Sequence, residues 1–248
     1  MSSENLITRE NMDTYLKAIA KQYRKLVKKA MPAEITLVGG ASILINYGFR
    51  DSTYDIDALI HAASAMKDAI NYVTDTMNLP NGWLNEDFKN TKSYTPRLLT
   101  YSKPYRQFSN SVTIRTISGE HLVAMKLMAF RQYKHDISDI VGILREHAHA
   151  GDPLTYGRID TAVINLYDSW ENLPAGAKEM LQDILSHEDL DALYESYAAG
   201  ESTAKSALIT FEDQYPDVLQ EDNLDAILHH LMERSGDSLA NSKTSMSG

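Results

Sequence analysis

The sequence predicts an α/β protein, more narrowly α+β: a small mixed sheet within the first 150 residues, then a helical C-terminal domain. Three observations carry this expectation. Short β-branched runs bounded by glycine occur only before residue 120. Helical periodicity, with few Gly or Pro, fills residues 155–234. The charge also changes sign along the chain. Residues 1–150 hold 19 Lys and Arg against 15 Asp and Glu, and residues 151–248 hold 5 against 19, so balances of +4 and −14 make up the net −10. Such a step marks either two units with different partners or a well-solvated acidic surface on the second. The expected units are residues 1–150, an acidic helical domain at 151–235, and a small polar tail at 236–248.

The elements follow in order. Met12, Leu16, Ile19, Tyr23, Leu26 and Ala30 recur at helical spacing, with Lys17, Lys21, Arg24, Lys25 and Lys28 opposite, and Pro32 stops the run. Glu34 to Val38 is mostly apolar and ends on Gly39-Gly40, which predicts a buried strand and a tight turn. A short helix is expected over Ala41–Tyr47, a strand over Ile56–Ile60, and a helix from Ser64, as N-cap, to about Met77. Residues 79–111 are read as loop-rich because of Pro80, Asn81-Gly82, Pro96 and Pro104. A third strand is expected over Ser111–Ile117, then helices over Glu120–Lys134 and Ile137–Ala148, with helices only thereafter.

Composition limits the chemistry. With no cysteine in 248 residues, disulfides, thiolate zinc sites and a cysteine nucleophile are excluded. No apolar run is long enough to cross a bilayer, so no membrane partner is expected. The first thirty residues are too charged for a secretory signal, and a cytoplasmic protein is expected. The histidines show no metal-ligand spacing.

The informative segment runs from Leu37 to Ile60. Gly39 and Gly40 follow a strand and open a helix, so backbone N–H groups and a helix N-terminus face one point, an arrangement that binds phosphate. Ser42 adds a hydroxyl there. Asp55 and Asp57 alternate in a strand, which places them on one face with Cα atoms ~6.6 Å apart. Two convergent carboxylates facing a phosphate cradle suit a hard cation, Mg²⁺ or Mn²⁺. The segment is neither a Walker loop nor G-x-G-x-x-G. Gly-Gly and Asp-x-Asp are each common by chance. Their order, with Arg50 and Thr53 between them, carries the functional reading.

That order resembles the DNA polymerase beta-like nucleotidyltransferases, whose mark is a Gly-Gly or Gly-Ser turn followed by Asp-hydrophobic-Asp on the next strand. More narrowly it is similar to the bacterial AbiEii/AbiGii-type families of abortive-infection systems. Gly82-Trp-Leu-Asn-Glu86 and the stretch Met125 to Ile140 also resemble those relatives, and the likeness covers roughly residues 35–145. It implies that residues 1–150 form a nucleotidyltransferase-fold domain. It further implies nucleotide contacts from Gly39, Gly40, Ser42, Arg50, Thr53 and Lys134, catalytic roles for Asp55, Asp57 and Lys126, and a toxin–antitoxin or phage-defence setting.

Lys126 interrupts an apolar helix, so its ammonium either snorkels to the surface or reaches the triphosphate or an acid. Asp136 is placed to cap the next helix, Asp139 to pair with Lys126 or Arg131, and structural and supporting catalytic roles stay open for both. The family usually has a third carboxylate on a later strand, where this chain has Thr113 and Arg115. Glu86, Asp87 or Glu120 could stand in, and spacing selects none of them. From Phe88 to Gly119 six basic residues and no acid interleave with tyrosines. This suits single-stranded nucleic acid, though a loop covering the sheet has the same composition. The expected function is Mg-dependent transfer of a nucleoside monophosphate from a nucleoside triphosphate to an RNA or protein hydroxyl. The alternative is a degraded binding module whose acidic half docks a protein partner.

Overall fold

The structure is a computed structural model, describing residues 6–27, 31–131, 135–220, 223–224 and 226–231. It holds a mixed sheet in the first half and, among the described residues, only helices after it, as the sequence predicts. In chain order the elements are α1 (Arg9–Leu26), β1 (Ala33–Leu37), α2 (Gly39–Asn46), β2 (Ile56–His61), α3 (Ala65–Thr76), β3 (Leu84–Asn85), β4 (Ser102–Phe108) and β5 (Val112–Ile117). There follow α4 (Gly119–Ala129), α5 (Asp136–His149), α6 (Tyr156–Tyr167), α7 (Ala177–Ser186) and α8 (Leu190–Gln214). The polar tail and the end of the helix expected to reach Lys134 lie outside the described residues.

The strands lie in the order β3-β2-β1-β5-β4. β1 is antiparallel to β2 and parallel to β5, β2 is parallel to β3, and β4 is antiparallel to β5. Strand alternation sends side chains to two cores. Ile35, Leu37, Ile56, Ala58 and Ile114 pack with α1 and α3 on one face. Leu59 and Ile117 face α4, in a cluster that continues through α5 and α6 to Leu181 and Ile184 of α7. α4 is buried nearly all round, which explains a mostly apolar sequence that Lys126 interrupts.

Two local expectations change. The loop-rich stretch 79–111 contains β3 and β4. β4 is the sheet's edge, buried only at Ser102, at Phe108 and partly at Tyr105, so it lacks an apolar alternation to announce it. Pro104 is tolerated there, beside a register irregularity between Pro104 and Arg106. Ser109 and Asn110, at φ 54° and 53°, make the hairpin turn to β5. Ser64 precedes α3 in helical conformation and gives it no side-chain cap, unlike Thr8, which forms a capping box with Asn11 on α1. Among the described residues no helix is long and apolar enough to cross a membrane.

Candidate active site

β1 delivers the chain into a left-handed turn at Gly39, φ +53°, a conformation that a side chain would strain. α2 begins there, and Val38 before it supplies no side-chain cap to the helix N-terminus. A Cβ on Gly39 would sit 3.8 Å from Asp57 Oδ2, which places that carboxylate against the turn. A Cβ on Gly40 would lie 3.1 Å from Thr53 Oγ1 and 3.2 Å from Arg50 Cζ and Nη2. The two glycines therefore let a carboxylate, a hydroxyl and a guanidinium close in on one helix end. Thr53 is buried, and its backbone is held on both sides by Ile7 at 2.8 Å.

Asp57 lies in β2 and is half-buried, and Asp55, just before the strand, is exposed. Asn85 of β3 pairs in register with Asp57, and its Nδ2 lies 3.4 Å from Asp55 Oδ2. Among the described residues no three His, Cys, Asp or Glu side chains gather as a metal cluster. Asp57 against the Gly39 turn, with Asp55 two residues before it, fits Mg²⁺, which takes one or two protein carboxylates and completes its shell with phosphate oxygens and water. The same hard oxygen donors would accept Mn²⁺.

Behind the turn is a buried ion cluster. Lys126 Nζ of α4 is 2.7 Å from Asp136 Oδ1 and 2.7 Å from Asp139 Oδ2, both on the first turn of α5. Arg131 Nε donates to Asp136 Oδ2 at 2.9 Å. Arg50 Nη1 reaches both oxygens of Asp139, at 3.0 and 2.8 Å, while Nη2 lies beside Gly40. Burial disfavours the charged form of Lys126, but Asp139 and Asp136 outweigh it and its pKa is raised. Burial likewise pushes Asp136 up, and Lys126 and Arg131 overcome it, so its carboxyl is held well below the usual range. Of the routes open to Lys126 in the sequence, the fold takes the acidic pair.

The remaining candidates are placed differently. Ser42 is fully buried, and its Oγ accepts the Ile117 N–H at 2.9 Å, tying α2 to the end of β5. Glu86 accepts the Ile60 N–H at 2.8 Å and pairs with Lys89 at 2.5 Å. Lys134 lies outside the described residues. On β5, Arg115 bonds Ser102 Oγ at 2.7 Å and lies 3.7 Å from Glu34. In the basic 88–119 segment Arg97 pairs with Asp168 at 2.6 Å and Arg106 with Asp13 at 2.5 Å, whereas Lys92 and Lys103 have no ion pair among the described residues.

Sequence reasoning missed three participants. Asn85 was in view within the Trp-Leu-Asn segment but carried no assigned role. Glu201 of α8 is buried, and its Oε1 accepts the Ser138 N–H at 3.0 Å while Oε2 accepts from Ser138 Oγ at 2.5 Å and faces His135 Nδ1 at 3.0 Å. Lys205, one turn further along α8, donates to Tyr54 Oη at 3.1 Å. No local pattern in a long polar helix distinguishes these two residues from solvated ones.

The model of a family described as "Nucleotidyltransferase of unknown function (DUF6036)" matches residues 14–145, slightly more than half of the 248 residues. No curated protein and no solved structure matches the chain.

Proposed function

Given that the chain belongs to this family of nucleotidyltransferases of unknown function, we propose that it moves a nucleoside monophosphate from a nucleoside triphosphate to a hydroxyl of an RNA, such as a tRNA end, or of a protein. The observation that carries this reading is the approach of Asp57 Oδ2 to Gly39, with Asp55 two residues before it, at a helix N-terminus that no side chain caps. The polymerase beta-like fold, the AbiEii/AbiGii-type kinship and the toxin–antitoxin or phage-defence setting belong to the same proposal, as does a cytoplasmic location.

The residues divide the task. The N–H groups of the Gly39-Gly40 turn donate to phosphate oxygens. Arg50, its Nη1 fixed by Asp139, offers Nη2 to the same phosphates, and Thr53 adds a hydroxyl. Lys126 sets Asp136 and Asp139 in place and thereby the aim of Arg50. Asp55 and Asp57 would hold Mg²⁺ or Mn²⁺, which when bound neutralises charge on the phosphates and on the leaving pyrophosphate. The acceptor oxygen bonds to the α-phosphorus, the bond from that phosphorus to the bridging oxygen breaks, pyrophosphate leaves, and the hydroxyl proton passes to solvent. Catalysis rests on positioning and charge neutralisation.

A second reading, a binding module without activity, is favoured by Thr113 and Arg115, which stand on β5 where polymerase beta-like enzymes usually carry a third carboxylate. In that case the acidic helical half docks a basic protein. Incubation with each α-labelled nucleoside triphosphate, Mg²⁺, and total RNA or total protein separates the two. Label transfer that vanishes with EDTA and in Asp55→Asn supports the enzyme. Absence of transfer to either acceptor, with no metal-dependent nucleotide binding, leaves the binding module.

A further inference from the structure

The cations nearest the turn already face acids, with Arg50 Nη2 left beside Gly40. Arg50, Lys126 and Arg131 face Asp136 and Asp139, so three positive charges meet two negative ones. A triphosphate approaching this corner brings about four further negative charges, more than the surplus cation and one divalent ion offset. A further cation at this corner would offset part of that excess, and α8 holds one beside Tyr54.

α8 lies against the loop that carries Arg50, Thr53 and Asp55. Tyr194 Oη donates to the Phe49 carbonyl at 3.3 Å, and its ring meets the Phe49 ring edge-on at 5.6 Å. Glu201 fastens the next part of the helix to the first turn of α5 through Ser138 and His135. Lys205 follows Glu201 by four residues, on the same side of the helix. Its Nζ donates to Tyr54 Oη at 3.1 Å and lies 5.0 Å from the Tyr54 ring centroid. Tyr54 is 60% exposed and directly precedes Asp55. Lys205 is itself exposed and meets no carboxylate among the described residues. Tyrosine holds an ammonium by its ring face and hydroxyl without neutralising it.

We infer that Lys205, parked on Tyr54, is a phosphate-contacting residue that α8 contributes to the nucleotide site. The inference rests on the nucleotidyltransferase reading and deepens it: the acidic helical half completes the triphosphate site with its one cation at this corner among the described residues. Lysine is suited to the role because a compact ammonium on a flexible stem can leave the Tyr54 ring for a phosphate oxygen when one arrives.

The test is a titration of the full chain with Mg²⁺ and each nucleoside triphosphate, and with inorganic tripolyphosphate, comparing wild type, Lys205→Ala, Lys205→Arg and Asp55→Asn. Because Lys205 is exposed, melting curves of its variants should superimpose on wild type. Lys205→Ala is expected to raise Kd for both ligand types about tenfold, the loss of one charge-assisted hydrogen bond, and to flatten the salt dependence of binding. Lys205→Arg should restore most of the affinity. Wild-type affinity in Lys205→Ala overturns the inference while the nucleotidyltransferase reading stands, provided Asp55→Asn loses its metal-dependent binding in the same titration. If wild type binds none of the ligands, both fall.

Discussion

Arg50 and Asp139 are 89 residues apart in sequence, yet Arg50 Nη1 lies within 3.0 Å of both Asp139 carboxylate oxygens. The pair joins the loop before β2 to the first turn of α5, and Lys126 shares the same carboxylate. Asp139 therefore positions the guanidinium that lies over the Gly40 turn. Replacing it with alanine strands Arg50, whose side chain is only 19% exposed, and leaves Lys126, 12% exposed, with Asp136 as its one remaining acid. Breaking one side of such a pair costs ~3 kcal/mol, at the lower end for buried pairs because Arg50 keeps some water. Thermal melts of Asp139→Ala should show a Tm roughly 6–12 °C below wild type. A drop below about 2 °C would mean that the cluster is solvated and does not organise the site.

The same loop is held from the other side by a glycine. A Cβ on Gly142 of α5 would fall 2.6–2.9 Å from three atoms of the Phe49 ring. Gly142→Ala gains up to ~1 kcal/mol of helix propensity, but it must displace a ring packed between Tyr47 and Tyr194. Overpacking of this kind costs ~1–3 kcal/mol, so a net loss of stability is expected. Because Phe49 adjoins Arg50, nucleotide affinity should fall as well. Melting and nucleotide titration of the variant check both; an unchanged or raised Tm refutes the packing argument.

Asp55 is expected to behave in the opposite way to Asp139. It is exposed and contributes one of two neighbouring carboxylates, which repel each other when no cation lies between them. Asp55→Asn should leave the metal-free Tm unchanged or raise it slightly, and should abolish transfer. Wild type should gain Tm on addition of Mg²⁺ with nucleotide, and the variant should not. A large fall in the metal-free Tm, with no metal response in wild type, would reassign the aspartate to a structural role.

Acid should weaken the fold through two carboxyls. The neighbouring His121 ring holds Glu120 low, with burial opposing it, and brings the Glu120 pKa from 4.5 down to about 2. Asp136 is depressed too. A carboxyl with a depressed folded-state pKa stabilises the fold fully above its unfolded value and loses that contribution as pH falls towards the folded one. Tm should therefore hold level above about pH 5 and fall between about pH 4.5 and 2. Glu120→Gln should flatten part of that fall. Identical acid profiles for the variant and wild type would show that Glu120 carries none of it.

The local part of the site was legible in the sequence because neighbours in the chain encode it. A β-branched run ending on Gly39-Gly40 specifies a strand and a turn, and the apolar run from Ile56 specifies the next strand, which carries Asp57 but begins one residue after Asp55. The helices from α6 onward are legible for the same reason, with period 3.6. β4 was not, because an edge strand needs no apolar alternation and Pro104 argues against a strand.

Charge partners were decided by tertiary structure. Arg50 and Lys126 look alike in sequence as phosphate-gripping cations, and only packing of α4 and α5 behind α2 brings Asp136 and Asp139 within 3.0 Å of them. The placement of Glu201 and Lys205 against residues 63 and 151 positions earlier depends likewise on where α8 lies. Periodicity is a property of consecutive residues, whereas an ion pair depends on distances of a few ångströms that the chain can close from any separation. The sequence by itself therefore determined the strand, the turn at Gly39-Gly40 and the helical character of the second half. The fold decided which cations are bound by acids and which are held otherwise, as Lys205 is by Tyr54.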